Sequence, residues 1–115
     1  MALQEPTFLI LTSLAQGRRH GYALIKDAAL LSDGRVTLKV GTLYAALDRL
    51  SQEGLVAAAG EEVVDGRLRR FYELTEEGAG TLAEEVERMR SLATRAAARL
   101  RARPVLPLET GLAFA

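Results

Sequence analysis

Apolar side chains recur at helical spacing in the first third of the chain. Pro6 suits the first turn of a helix, and the apolar run that follows it through Leu14 ends before Gly17. A second run, GYALIKDAALL, covers about 21–31, and a Ser-Asp-Gly turn follows it at 32–34. These two segments predict two short α-helices.

The stretch KVGTLYAALDRLSQEGLV, residues 39–56, predicts a third helix. Three leucines form its apolar stripe: Leu43, Leu47 and Leu50. Gly54 supplies the left-handed residue that a helix C-terminus prefers. The first turn contains Gly41, where a helix built only for packing would carry alanine or a charged residue. We therefore expect this turn to lie against another surface.

Strand patterns follow the third helix. LVAAA at 55–59 predicts a strand, and residues 61–72 predict a β-hairpin around Asp65-Gly66, because both positions of such a turn need positive φ. The predicted cross-strand pairs are Val64 with Arg67, Glu62 with Arg69 and Glu61 with Arg70. The two pairs of opposite charge support this register.

The connecting segments are short and polar. Arg18-Arg19-His20 is interpreted as a basic turn, with His20 as a helix cap or solvated residue and not a ligand. Arg35 and the arginines of the basic turn are interpreted as solvated loop charges. Val36-Thr37-Leu38 is long enough only for a stub of strand.

A long last helix begins after Thr75, a suitable N-cap that is followed by two acidic residues. Apolar positions then alternate in steps of four and three over nearly three heptads: Leu82, Val86, Met89, Ala93, Ala96 and Leu100. Because a complete small domain precedes this helix, we expect it to pair with a second copy in a C2 dimer. The first helix would add contacts through Phe8 and Leu11. The alternative is that the last helix folds back on its own domain.

The order of elements predicts a mainly α fold with a small β-hairpin. Three short helices followed by a hairpin are the parts of a winged helix-turn-helix, which would cover residues 1–75. The dimerisation helix would cover 76–103. An apolar tail, PVLPLETGLAFA at 104–115, would either dock across the dimer or stay disordered.

Composition excludes several function classes. The chain has 115 residues, no cysteine and a single histidine, so thiolate chemistry, disulfides and a multi-histidine metal site are ruled out. We therefore predict no metal, no cofactor and no catalytic residue, and an enzyme is a weak candidate.

No apolar run reaches the length of a membrane span, and no signal peptide is visible, so a soluble cytoplasmic protein is expected. Fifteen basic and fifteen acidic residues cancel, so net charge indicates no partner.

Three motifs resemble the PadR family of transcriptional regulators, particularly its short subfamily with a single C-terminal helix. They are HGYALI at 20–25, GTLYAALDRLSQEGLV at 41–56 and GRLRRFYELTEEG at 66–78. The resemblance implies a homodimeric winged-helix repressor that binds a palindromic operator in double-stranded DNA and is released by a small molecule. Two departures are visible: Lys39-Val40 stands where members commonly have Ser-Pro, and Leu68 stands where they tend to have proline.

A DNA-binding helix-turn-helix presents the first turn of its recognition helix to the major groove. Glycine there permits close approach, Thr42 can reach a base or a phosphate, and Tyr44 offers a hydroxyl to a phosphate or is a half-buried core residue. Tyr22 either holds a phosphate at the start of the second helix or packs against the first helix. The predicted DNA contacts are Tyr22, Lys39, Val40, Gly41, Thr42, Tyr44, Arg67 and Arg69.

Two further questions stay open at this level. Arg69 and Arg70 could form ion pairs with the glutamates opposite them in the hairpin. In that case the two arginines stabilise the hairpin and do not bind DNA. The neutral net charge also allows a winged-helix module that binds proteins and never binds DNA. The chain has no aromatic residue between Glu73 and Leu112, which argues against an effector stacked between the last helices.

Overall fold

The computed structural model describes residues 2–105, which form four helices and a three-stranded antiparallel sheet. The elements are α1 (Glu5–Leu14), β1 (Arg19–His20), α2 (Gly21–Leu31), α3 (Val40–Gln52), β2 (Val56–Val64), β3 (Arg67–Leu74) and α4 (Glu76–Ala102). This architecture confirms the predicted mainly α fold with a winged helix-turn-helix. The chain divides into two compact units, Met1–Glu85 and Val86–Ala115, so the first turns of α4 belong to the winged-helix unit.

Helix α1 supplies much of the core. Pro6 lies in its first turn as predicted, and its buried apolar residues are Leu9, Ile10, Leu11 and Leu14. The side chain of Leu11 has 0% exposure within its own chain. Because such a side chain cannot reach a second copy, the structure removes Leu11 from the predicted dimer contacts. Phe8 is half-buried and keeps part of its surface accessible.

Helix α2 has the predicted bounds, and both of its ends are capped by side chains. His20 Nδ1 accepts a hydrogen bond from the Ala23 backbone N–H at 3.2 Å, which confirms His20 as the N-cap. At the other end, the Ser32 hydroxyl donates to the Ala28 carbonyl at 2.8 Å and accepts from the Val36 N–H at 3.0 Å. The turn at 32–34 follows as expected from the sequence.

Helix α3 is anchored by the predicted stripe, since Leu43, Leu47 and Leu50 are all fully buried. The helix ends at Gln52, and Gly54 follows it with a φ of +78°, the left-handed conformation that favours glycine. The predicted strand stub at 36–38 is wrong. These residues form an extended loop in which Leu38 is buried and Val36 is half-buried, so their apolar pattern reflects core packing without strand pairing.

The third strand lies where a basic turn was predicted. Strand β1 pairs with β3 through Arg19 opposite Tyr72 and His20 opposite Phe71, and the sheet order is β1-β3-β2. A strand of two residues carries no readable alternation, and its partner is distant in sequence. Only the tertiary fold therefore identifies it as a strand.

The hairpin of β2 and β3, which we call the wing, has the predicted register. Its pairs are Val64–Arg67, Glu62–Arg69 and Glu61–Arg70. Asp65 and Gly66 have φ of 51° and 77°, as the tight turn requires. The predicted strand at 55–59 and the first strand of the predicted hairpin form one continuous strand β2, with an irregularity in pairing between Ala58 and Glu61.

Helix α4 is capped as predicted. The Thr75 hydroxyl accepts from the Gly78 N–H at 2.9 Å and donates to the Gly54 carbonyl at 2.6 Å, which joins the starts of α4 and β2. Within the first unit, Leu82 packs against the core, and the buried Glu85 carboxylate accepts from the Leu3 N–H at 2.9 Å.

No helix in residues 2–105 is long and apolar enough to cross a membrane. Most of the predicted tail, from residue 106 onward, lies outside the described residues.

Candidate nucleic-acid interface

The first turn of α3 is exposed on one side and packs against the core on the other. Leu43 anchors it in the core, while Lys39, Gly41 and Thr42 are exposed and Val40 has 62% exposure. Lys39 is the N-cap but makes no side-chain capping hydrogen bond. The first N–H groups of a helix have no partner within the helix, so an uncapped start leaves donors that can bind an anion.

Nothing in residues 2–105 requires a glycine at position 41. It has ordinary helical backbone, and a Cβ added to it would meet nothing within 4 Å. Glycine in a helix costs about 0.5–1 kcal/mol relative to alanine. A position that bears this cost without a conformational or packing need is suited to close approach by another molecule.

Tyr44 combines the two roles that the sequence left open. Its side chain keeps 39% exposure, yet its ring lies against the start of α2. A Cβ added at Gly21 would lie 2.6 Å from the Tyr44 Oη and 3.0 Å from its Cζ. Tyr44 therefore joins the two helices of the helix-turn-helix and presents its remaining surface outward.

A second group of side chains surrounds Tyr22, which has 55% exposure and is therefore not a core residue. The Lys26 ammonium and the Arg69 guanidinium each lie 5.7 Å from the centre of its ring. Both distances allow a cation–π interaction. Arg69 also has a buried Nε without a hydrogen-bond partner among the described residues. We call Tyr22, Lys26 and Arg69 the tyrosine clamp.

Lys26 was missed by the sequence interpretation. It lies four residues after Tyr22 on the same face of α2, and this spacing was the available signal.

The remaining wing arginines differ in their surroundings. Arg67 is exposed beside the turn, as predicted. A hydrogen bond between the Arg70 and Tyr72 side chains raises the pKa of Arg70, and the negative charge of Glu61 adds to this effect. The glutamate opposite Arg69 is directed elsewhere, because Glu62 forms an ion pair with Arg18. Arg69 instead lies over the Tyr22 ring.

Arg18 and Arg19 are structural residues, which corrects their interpretation as solvated loop charges. Arg18 lies 4.2 Å from the Phe71 ring centre and donates to the Ala59 carbonyl at 3.2 Å, besides its ion pair with Glu62. Arg19 donates to the Ser13 carbonyl at 3.0 Å. Arg35 remains largely exposed, 3.8 Å from Glu5.

The structure thus places the predicted residues in three neighbouring groups. The first turn of α3 holds Lys39 to Thr42, the tyrosine clamp holds Tyr22 and Arg69, and the wing turn holds Arg67. The contact between Tyr44 and Gly21 connects the first two groups, because Gly21 directly precedes Tyr22.

Comparison with known proteins identifies relatives over most of the chain. Residues 10–84 match the Transcriptional regulator PadR-like family. The transcriptional regulator Rv3488 of Mycobacterium tuberculosis is 37% identical over 84 residues, which cover 73% of this chain and 75% of that protein.

Solved structures give the same result. A PadR family transcription regulator from Clostridium difficile R20291 has a TM-score of 0.70 at 26% identity, covering 84% of this chain and 99% of that chain. Bacillus subtilis PadR, solved in complex with operator DNA, shares the fold with a TM-score of 0.63 at 20% identity, covering 72% of this chain and 48% of that chain. The chain is therefore a member of the PadR-like family of transcriptional regulators.

Proposed function

We propose that this regulator binds double-stranded DNA in a sequence-specific manner, as a homodimer on a palindromic operator. The observation that carries the proposal is the exposed first turn of α3, which has no side-chain cap and contains a glycine that no contact in residues 2–105 requires. The operator complex of Bacillus subtilis PadR supports DNA as the partner.

The first turn of α3 would enter the major groove. Thr42 would hydrogen-bond a base edge, and Val40 would contact an apolar group such as a thymine methyl. Lys39 and the unpaired N–H groups of the turn would bind phosphate, which fixes the position of the helix. The departure from Ser-Pro at 39–40 thus replaces a side-chain cap with a positive charge and an apolar contact.

The tyrosine clamp and the wing would bind the DNA backbone on either side. Lys26 and Arg69 each lie 5.7 Å from the centre of the Tyr22 ring, so two positive charges and the tyrosine hydroxyl would be available to one phosphate. Arg67 at the wing turn would reach a phosphate or the minor groove.

The homodimer would form through α4. In the second unit the predicted seam is accessible: Met89 has 44% exposure, and Ala93, Ala96 and Leu100 are exposed. Leu82 and Val86 are half-buried and would extend the seam, and Phe8 would add contacts. A two-fold axis would place the two recognition helices about 34–36 Å apart, one turn of DNA. Repression, release by a small molecule and a cytoplasmic location complete the proposal by analogy with the family.

Two substitutions separate the roles within this surface. Thr42→Ala keeps the helix and removes one hydrogen-bonding group, which should cost roughly 1–3 kcal/mol on the operator and little on scrambled duplex. Arg67→Ala removes a charge, so it should weaken binding to both duplexes and lower the salt slope by about one unit. Fluorescence titrations at several salt concentrations measure both effects.

Circular dichroism provides the control, because both side chains are exposed and both variants should fold as the parent does. Parent affinity should fall with salt by about 0.9 logarithmic units per phosphate contact. Two results would show that this surface does not bind DNA. One is an affinity that does not change with salt, and the other is that both variants bind both duplexes as the parent does. A winged-helix module that binds a protein would then replace the proposal.

A further inference from the structure

One charged residue of α3 takes no part in the proposed DNA contacts. Asp48 is the only acidic residue of this helix, and it is exposed. It follows Gly41 by seven residues, which is close to two turns at about 3.6 residues per turn, so the two residues lie on one face of the helix. Ala45 lies between them on the same face and is also exposed. This face is opposite the leucine stripe that anchors α3 in the core.

No ion pair among residues 2–105 accounts for an acidic side chain at this position. The residues three and four positions from Asp48 include no basic one: Tyr44, Ala45, Ser51 and Gln52. The adjacent Arg49 instead pairs with Glu53 at 3.3 Å and donates to the Thr7 hydroxyl at 3.0 Å. Aspartate is also a poor helix former, and so far from the helix N-terminus it gains nothing from the helix dipole.

The face that carries Asp48 is the face that would meet DNA. Recognition helices that lie in the major groove read bases with residues of one face, at spacings such as i, i+3, i+4 and i+7. Gly41, Ala45 and Asp48 have the first, third and fourth of these spacings. Because glycine and alanine have almost no side chain, the helix would approach the bases closely enough for the short Asp48 side chain to reach them.

A carboxylate fits one base in the major groove. An ionised carboxylate only accepts hydrogen bonds. Cytosine presents an amino donor there and no acceptor. Guanine presents two acceptors, thymine an acceptor and a methyl group, and adenine an acceptor beside its donor. The carboxylate would therefore bind cytosine and be repelled by the acceptors of the other bases. Without such a partner it would face the negative charge of the phosphates, which weakens binding.

We propose that Asp48 is a specificity-determining residue, which accepts a hydrogen bond from a cytosine amino group in each half of the operator. It acts in two ways. It stabilises the complex at the correct base pair, and it destabilises complexes with other sequences, where the unpaired carboxylate faces acceptors and phosphates. The inference rests on the proposed sequence-specific binding through α3 and adds the residue that selects one G·C pair.

Asp48→Asn tests the base preference, because it keeps the size of the side chain and removes its charge. Asparagine binds adenine through the amino group and N7 of that base. Selection of bound fragments from random duplex DNA should therefore give the variant adenine in place of cytosine at one position of each half-site, with the other positions unchanged. On the operator that the parent selects, the variant should bind roughly tenfold more weakly. Asp48→Ala should lose the preference at that position without gaining another.

Scrambled duplex should show the opposite sign. Asp48→Asn should bind it more tightly than the parent does at low salt, because a negative charge has left the surface that faces DNA, and this gain should shrink as salt screens the charges. Glu84→Gln is the matched control, since it removes one negative charge from an exposed position of α4, outside the proposed DNA surface. It should select the same sequence as the parent. Circular dichroism checks that each variant folds.

The outcomes distinguish this inference from the proposed function. A parent that selects no common sequence from random duplex DNA would overturn the proposed sequence-specific binding itself. A common sequence that Asp48→Asn leaves unchanged at every position would overturn the role of Asp48 alone. The same conclusion would follow if Asp48→Asn bound operator and scrambled duplex more tightly by the same factor, because Asp48 would then only repel DNA.

Discussion

Gly21 and Gly41 are both helical glycines, and the structure gives them opposite explanations. At Gly21 the ring of Tyr44 occupies the place of a side chain, so the glycine is required by packing between α2 and α3. At Gly41 the corresponding space is open. The sequence suggested close approach at Gly41, and only the structure shows that no part of the described chain makes that approach.

Replacing Gly41 by alanine should therefore separate folding from binding. Gly41→Ala should raise the free energy of unfolding by about 0.5–1 kcal/mol, because alanine is the better helix former. The same methyl group should weaken operator binding, since it would stand between the helix and the groove. Urea denaturation and titration with operator duplex measure the two effects.

Gly80→Ala is the matched control. Gly80 is also an exposed helical glycine with nothing within 4 Å of an added Cβ, but it lies in α4, away from the proposed DNA surface. This variant should gain stability and keep operator affinity. If Gly41→Ala binds the operator as tightly as Gly80→Ala does, the first turn of α3 does not approach DNA closely.

At the scale of elements, the start of α2 depends on the protonation of one side chain. His20 can accept from the Ala23 N–H only while Nδ1 carries no proton. Burial lowers the pKa of His20 below its ordinary value of 6.5, and the charge of Arg69 lowers it further, while Asp65 opposes them. The edge of the His20 ring also packs on Phe71, with the ring centres 5.3 Å apart.

Stability should consequently fall on mild acidification. The folded chain resists protonation of His20 at a pH where the unfolded chain already accepts it, so the contribution is complete above 6.5 and is lost as pH falls through the lower folded pKa. Urea midpoints measured between about pH 7 and pH 5 should record this loss.

His20→Asn isolates the effect, because asparagine is a good N-cap that does not titrate. The carboxylates that titrate at the acid end of the range affect both proteins, so the difference between parent and variant reports His20. Two curves that stay parallel over the whole range would show that the cap does not depend on protonation.

At the scale of the whole molecule, assembly should depend on the seam of α4. Met89→Lys would place a charge in the middle of the seam of each copy, and an unpaired charge is costly to bury. The variant should shift toward monomer in light scattering. Ser91→Lys adds the same charge on the opposite face of the helix and should remain dimeric. An unchanged dimer for Met89→Lys would place the interface elsewhere.

Charge shows how a whole-chain average can mislead. The equal numbers of acidic and basic residues indicated no partner, although the net charge is −5 over residues 1–87 and +6 over residues 88–103. That separation was readable from the sequence. What the structure adds is that five of the six arginines in the second of these segments, Arg88 to Arg101, lie on one continuous helix.

The sequence by itself determined the features that arise from neighbours along the chain. The bounds of α2, the leucine stripe of α3, the Asp65-Gly66 turn with its register and the Thr75 cap all depend on residues a few positions apart. Backbone conformation, capping and helical periodicity act over that range, so local patterns are enough to predict them.

The tertiary structure decided the features that join distant segments. Strand β1 exists because β3 pairs with it, and Arg18 is structural because Glu62 and Phe71 lie beside it. The tyrosine clamp likewise joins α2 to the wing. No short pattern encodes such contacts, because each depends on how the chain closes the loops between its elements. Packing of the helices around the buried leucines of α3 fixes those loops, and with them the surface that this regulator offers to a partner.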